Sequence, residues 1–197
     1  MPRLNEATRE QRREAIAVAA MACFTRDGFA STTMADIIAE AGSSAGSVYS
    51  HFASKAELVR YTASSAMTEL IAAASEGLPS ERSPAVVLGH LLEASARSTR
   101  ARSLLQIWAE VPRDAELEEI ATRNLGELRA QVSEALSAWC RDESRDAITA
   151  ADPDAAAEAL ADVLLTSLQG YLVRVTIDRT IDAGVLAARL TAVVERF

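Results

Sequence analysis

Between residues 28 and 57 the chain interrupts itself so often that only short helices fit between the stops. Gly28 can end a helix in a backbone conformation that other residues resist. Thr32 or Thr33 can start the next helix, because a threonine hydroxyl accepts from the free N–H groups of a first turn. Gly42-Ser43 ends that helix, Ser44 opens another, and Ser54-Lys55-Ala56-Glu57 has the spacing of a capping box. The intervals predict a second helix through Ala41, with Ile37, Ile38 and Ala41 as its apolar positions. A third helix of about two turns follows from Ser44 to Phe52. Ahead of them, Thr8-Arg9-Glu10-Gln11 fits a capping box, and Ile16, Ala19, Ala20, Cys23 and Phe24 recur at helical spacing.

The remainder reads as longer helices. One runs from Ser54 to about Glu76, and Gly77 to Pro84 is the clearest loop, with Pro84 suited to a first helical turn. The next helix holds Val86, Val87, Leu88, Leu91 and Leu92. A short helix covers Leu104 to Ala109, and a break falls at Pro112. A long helix from about Asp114 to Arg141 places Leu125, Leu128, Val132, Leu136 and Trp139 on one face. Asp152-Pro153 supplies a cap and first residue for a helix to about Ile177, and Asp182 caps a last one ending near Phe197.

Only 5% of residues are aromatic although 49% are hydrophobic, so the core is Ala, Leu, Val and Ile. Ala and Leu favour helix, Gly (8) and Pro (5) are scarce, and no sustained alternation marks a strand. The expectation is an all-α chain of about nine helices. Its two domains are residues 1–53, a three-helix unit, and 54–197, a larger helical body.

Net charge is −8, which by itself disfavours a nucleic-acid partner, but the charge is unevenly placed. Residues 1–60 hold seven basic and seven acidic groups, leaving 13 basic and 21 acidic for the rest. Any contact with phosphate therefore belongs to the front of the chain, and the acidic body limits non-specific binding. No uncharged run approaches the ~18 residues of a membrane span, and the N-terminus lacks the apolar core of a signal peptide. Cys23 and Cys140 read as free, buried thiols of a cytoplasmic protein.

Two short helices joined by a glycine-containing turn, with a third in front, form a helix-turn-helix candidate. Gly28-Phe29, Thr32-Thr33, Asp36-Ile37, Ala41-Gly42, Ser44, Gly46, Val48-Tyr49, Phe52, Ser54-Lys55 and Glu57-Leu58 together resemble the N-terminal signature of the TetR family of bacterial repressors. The resemblance spans about residues 10–60, and the helix count beyond it matches the family's layout.

It implies a non-enzymatic, ligand-responsive transcriptional regulator, most often a repressor, that binds a palindromic operator in double-stranded DNA as a homodimer. Thr32 and Thr33 would start the second helix and touch a phosphate. Ser44 would cap the recognition helix, and Ala45, Gly46, Ser47 and Ser50 would face base edges or backbone. Tyr49 and His51 would meet the sugar-phosphate chain. Lys55, the only lysine in the sequence, would bind a phosphate. Phe24, Ile37, Val48 and Phe52 would form the small core.

Two departures stand out. Ser43 replaces a small apolar residue in the turn, which would loosen it, and Ser50 replaces a larger one. No Arg, Asn or Gln lies between Ser44 and Phe52, so bidentate base readout is missing from that helix. Specificity would then rest on small side chains, thymine methyl packing and DNA shape.

In the body, residues 163–173 carry no charge, and their helix shows two apolar stripes: Leu160, Leu164, Ser167, Tyr171 and Ala161, Leu165, Leu168, Leu172. So broad a face implies burial on more than one side. The last helix adds Val185, Leu186, Leu190, Val193 and Val194. By resemblance the last two helices form the dimer interface, and a pocket in the body binds a hydrophobic or amphipathic effector. Candidate wall residues are Met67, His90, Gln106, Trp108, Thr166 and Gln169.

No cofactor or metal motif is found. Gly42-Ser43-Ser44-Ala45-Gly46 fits the pattern of a hydrolase nucleophile elbow, but a helix rather than a strand precedes it. A hydrolase would lose ester turnover on Ser44→Ala, and a helical ligand-binding module would show no salt-dependent DNA binding.

Overall fold

A computed structural model describes residues 6–79, 83–97, 101–142, 152–178 and 180–194, with the side chains of 101–104 omitted. The expected helix end near Phe197 and the loop centre Ser80-Glu81-Arg82 lie outside the described residues. Among those described there are nine α-helices and no strand: α1 (Glu6–Asp27), α2 (Met34–Glu40), α3 (Ala45–His51), α4 (Lys55–Ser75), α5 (Pro84–Arg97), α6 (Ala101–Glu110), α7 (Ala115–Cys140), α8 (Pro153–Ile177) and α9 (Ala183–Val194). A 3₁₀ turn, Val111–Arg113, holds the break at Pro112.

The chain divides into two compact units. Unit 1 is Met1–Met67 with Ser103–Ile120, and unit 2 is Thr68–Arg102 with Ala121–Phe197. The break between α3 and α4, where residues 53 and 54 meet, lies inside unit 1.

In unit 1, α1 buries Ile16, Ala17, Ala19, Ala20, Cys23 and Phe24 on one stripe. Thr8 does not cap this helix. Glu6 and Ala7 already continue it upstream, and a carboxylate near a helix start is favourable. Gly28, at φ +84°, ends α1, and its N–H donates to the Phe24 carbonyl at 2.8 Å. The rings of Phe24 and Phe29 pack with centroids 4.5 Å apart. α2 packs on α1 and α3 on α2, and Phe24, Ile37, Val48 and Phe52 are fully buried.

Two further contacts brace this unit. The Arg13 guanidinium stacks over Phe52 and Tyr61, 5.2 and 4.5 Å from the ring centroids, which supplies cation–π attraction. Arg60 on α4 pairs with Asp114 at 3.1 Å and also with Glu116, while Asp114 caps α7 by accepting from the N–H groups of Glu116 and Leu117.

In unit 2, α5 packs against both α8 and α9. Asp152 caps α8, accepting from the Asp154 and Ala155 N–H groups, and Asp182 caps α9 through the Val185 N–H. α8 is long and apolar enough to cross a membrane by length and composition. Its residues Ala157, Ala161, Leu164, Leu165, Leu168, Tyr171 and Leu172 are buried, as in a core helix. Arg129 of α7 holds Asp162 of α8 through two hydrogen bonds, 2.6 and 3.1 Å long, and reaches Glu158 at 3.1 Å.

The expected stripe of α7 needs correction at one position: Leu125 is exposed and Asn124 is buried in its place. The inward stripe is Ala121, Asn124, Leu128, Val132, Ala135 and Leu136, which keeps Leu128, Val132 and Leu136 of the predicted one. Trp139 is half-buried.

Candidate nucleic-acid interface

The α2–α3 pair is built by backbone chemistry that leaves one face of α3 open. Thr33, rather than Thr32, caps α2. Its hydroxyl oxygen accepts from the Asp36 N–H at 3.2 Å, and the Asp36 carboxylate accepts from the Thr33 N–H at 2.8 Å. The Thr33 hydroxyl, and next its N–H, hold the Asp36 carboxyl below its ordinary pKa. Thr32 is buried, and both its hydroxyl and its N–H donate to the Gly28 carbonyl. Its donors are therefore occupied inside the fold, and only Thr33 presents a hydroxyl at the surface.

At the other end of α2, Gly42 takes φ +56°. Its N–H donates to Ala39 and that of Ser43 to Ile38, at 3.2 and 3.3 Å, the paired closure of a Schellman motif. Ser43 thus leaves the turn closed. Ser44 caps α3 by accepting from the Ser47 N–H at 3.2 Å. Ser44 is a cap following a helix, which accounts for the elbow-like pattern without hydrolysis.

Val48 anchors the inner side of α3, and Phe52 closes its end. Ala45, Gly46, Tyr49 and Ser50 lie outward and exposed, while Ser47 and His51 are half-buried. The Ser50 hydroxyl donates to the Ser47 carbonyl at 2.7 Å. Lys55 opens α4 and is half-buried, its Nζ donating to the Ala30 carbonyl at 3.3 Å. Ser54 caps α4 through the Glu57 N–H, but the Glu57 carboxylate accepts from the Ala53 N–H, one residue before the reciprocal position.

One feature of this face is not predicted residue by residue from the sequence. A cleft of about 590 Å³ beside His51 is lined by Glu6, Ala7, Arg9, Glu10 and Arg13 of α1. It brings Arg9 and Arg13, together with the Glu6 and Glu10 carboxylates, beside His51 at the end of α3. The Tyr61 hydroxyl lies 3.2 Å from both the Glu10 and Glu14 carboxylates, and burial, then the Glu10 bond, push its pKa up to about 12. The concentration of arginine in residues 9–13 is the only sequence signal for this cluster.

The proposed effector-wall residues fall in both units. Met67, Gln106 and Trp108 belong to unit 1, where Met67 is buried and the other two are half-buried. His90, Thr166 and Gln169 belong to unit 2. The His90 ring is anchored, with Nε2 3.0 Å from the Ala74 carbonyl oxygen. Thr166 is exposed and Gln169 half-buried. Among the described residues, no group of three or more His, Cys, Asp or Glu side chains could hold a metal ion.

Residues 16–62 match the family described as "Bacterial regulatory proteins, tetR family". Over this segment the chain is similar to the tetR family. Its members are DNA-binding transcriptional regulators rather than enzymes. Salmonella enterica GusR is 25% identical over 98% of this chain and 100% of its own, with a TM-score of 0.65. A transcriptional regulator from Rhodococcus sp. Rha1 superposes at 0.75, with 22% identity over 93% of this chain and 94% of its own. A TerR/AcrR family regulator from Aquifex aeolicus VF5 reaches 0.67 at 18% identity, over 93% and 98%. No curated protein sequence matches the chain. The tetR-family match covers α2, α3 and the cap of α4, the segment whose capped, outward-facing geometry is described above.

Proposed function

We propose that this chain is a tetR-family transcriptional regulator, a cytoplasmic repressor that binds a palindromic operator as a homodimer and is released by a small apolar or amphipathic molecule. The observation that carries the DNA half of this reading is α3 itself. It is fixed from behind by buried Val48 and Phe52 and offers Ala45, Gly46, Tyr49 and Ser50 outward, with Thr33 and Lys55 to either side in sequence. Small side chains let a helix approach base edges closely, and with no long amide or guanidinium in α3, DNA shape supplies much of the discrimination.

The dimer half is supported by α8 and α9. Val163, Ile177, Val185 and Val193 are 55%, 73%, 48% and 56% exposed, and α9 has no fully buried residue despite its apolar sequence. A second copy covering this face would place two recognition helices on half-sites separated by ~34 Å or a multiple. Effector in the body of residues 54–197 would bias the equilibrium between operator-binding and released forms, so effector and operator weaken each other reciprocally.

The test is selection of bound fragments from a random DNA pool, followed by salt-titrated binding. An enriched inverted repeat with a steep salt dependence supports the reading. No enrichment from folded, dimeric protein would replace it with a helical ligand-binding module. If an effector binds without changing operator affinity, the release mechanism fails.

A further inference from the structure

Four polar residues are buried among the described residues: Thr32, Thr62, Ser95 and Asn124. Three of them are satisfied within their own turn or helix. Thr32 donates to the Gly28 carbonyl, Thr62 to Leu58 and Ser95 to Leu92, at 2.9, 2.9 and 2.7 Å. Asn124 differs. It is 7% exposed, and its side-chain nitrogen Nδ2 is buried with no hydrogen-bond partner among the described residues. Other orphaned buried atoms, such as Ser75 Oγ and Gln106 Oε1, belong to residues that are only half-buried.

The placement is not forced by the helix. Asn124 stands in an apolar stripe between Ala121 and Leu128, while its neighbour Leu125 faces outward. One turn further on, Arg129 clamps α7 to Asp162 and Glu158 of α8, which fixes the rotation that keeps Asn124 inside. A buried amide donor without an acceptor is a cost that native folds rarely carry without a compensating partner.

We propose that Asn124 is the polar anchor of the effector site in unit 2, and that the effector is an apolar molecule presenting an uncharged carbonyl oxygen to Nδ2. The inference rests on the effector-responsive reading above. An oxygen acceptor is what a free N–H₂ requires, and apolar neighbours on the stripe require an apolar body around it. A neutral amide donor in an apolar stripe cannot offset the burial of a full charge, which selects an uncharged acceptor.

The test uses the full chain, the variants Asn124→Leu and Asn124→Ala, and two probes of nearly equal shape, 2-acetylnaphthalene and 2-ethylnaphthalene. Binding is followed by quenching of Trp108 and Trp139 fluorescence. Wild type is expected to bind the ketone about tenfold more tightly than the hydrocarbon, and both variants to lose that preference. Without ligand, Asn124→Leu should raise Tm by about 2–6 °C by removing the orphaned donor. A lowered Tm for Asn124→Leu would mean the amide has a structural role and overturns the proposal. So would a ketone preference absent from wild type or kept by Asn124→Ala, a variant that leaves space instead of filling it. DNA selection on wild type and variants separates the two levels of failure. An inverted repeat bound equally by all, with unchanged probe preference, removes Asn124 alone. No repeat for any of them removes the regulator reading and this inference with it.

Discussion

Thr32 and Thr33 have the same side chain and opposite roles. Thr32 spends both its donors on Gly28 and seals the α1–α2 corner, while Thr33 caps α2 and reaches solvent. Thr33→Ala should lower stability by about 1 kcal/mol, as loss of a helix cap does. The acid limb is expected to move with it. The unfolded Asp36 carboxyl titrates near ~3.9, and the folded one lies lower because of Thr33. The capping box therefore contributes fully above the unfolded value and is lost as pH falls through the folded one. Titration of the Asp36 carboxyl by NMR should show this low midpoint, returned towards the ordinary range in Thr33→Ala; an unchanged midpoint would contradict the box. Lys55→Ala, by contrast, should weaken binding to all DNA sequences about uniformly and flatten the salt slope by about one unit. Loss confined to one sequence in a salt-titrated binding series would deny Lys55 a phosphate.

Among the elements, α2 and α3 owe their separation to a single backbone conformation. Gly42 sits at φ +56° with open space around the position of a Cβ, so Gly42→Ala should cost roughly 1–2 kcal/mol from backbone alone. Gly46 has ordinary helical backbone and equally open space, so Gly46→Ala should melt no earlier than wild type while altering operator preference. Thermal melts of the two variants, read beside DNA selection, check the contrast. The same elements indicate what was legible in the sequence. Gly28, Gly42, Ser44, Asp152 and Asp182 are read correctly because a turn or cap declares itself in one or two residues. Thr8 misled because a capping pattern can lie within a helix that good formers extend upstream. α7 misled for a geometric reason. Adjacent stripes on a helix differ by one residue, and apolar periodicity chose Leu125 over Asn124, a polar residue buried against its own preference. The arginine cluster beside His51 depends on where α1 meets the end of α3, which spacing along one helix does not encode.

For the whole molecule, the proposed dimer makes the exposed residues of α8 and α9 testable. Val193→Asp, which puts a charge on this face, should shift sedimentation to the monomer. Operator affinity should fall by about 10²-fold or more, since the second half-site is then no longer tethered to the first. A variant that remains dimeric would move the interface elsewhere on the body. The charge asymmetry fits the proposal at this scale: the acidic excess lies beyond residue 60, and the segment proposed to meet DNA is balanced.

The lone lysine has a practical consequence. With all other cationic side chains being arginine or histidine, Lys55 carries the one side-chain amine in the chain, on the flank of α3 and held to a carbonyl at 3.3 Å. An acylating reagent therefore has a single internal target, distinguishable by peptide mass from the chain's terminal amine. Its rate of modification becomes a footprint: shielding at Lys55 on adding DNA, and recovery on adding a candidate effector, would read occupancy of the operator directly from a protein carrying no engineered label.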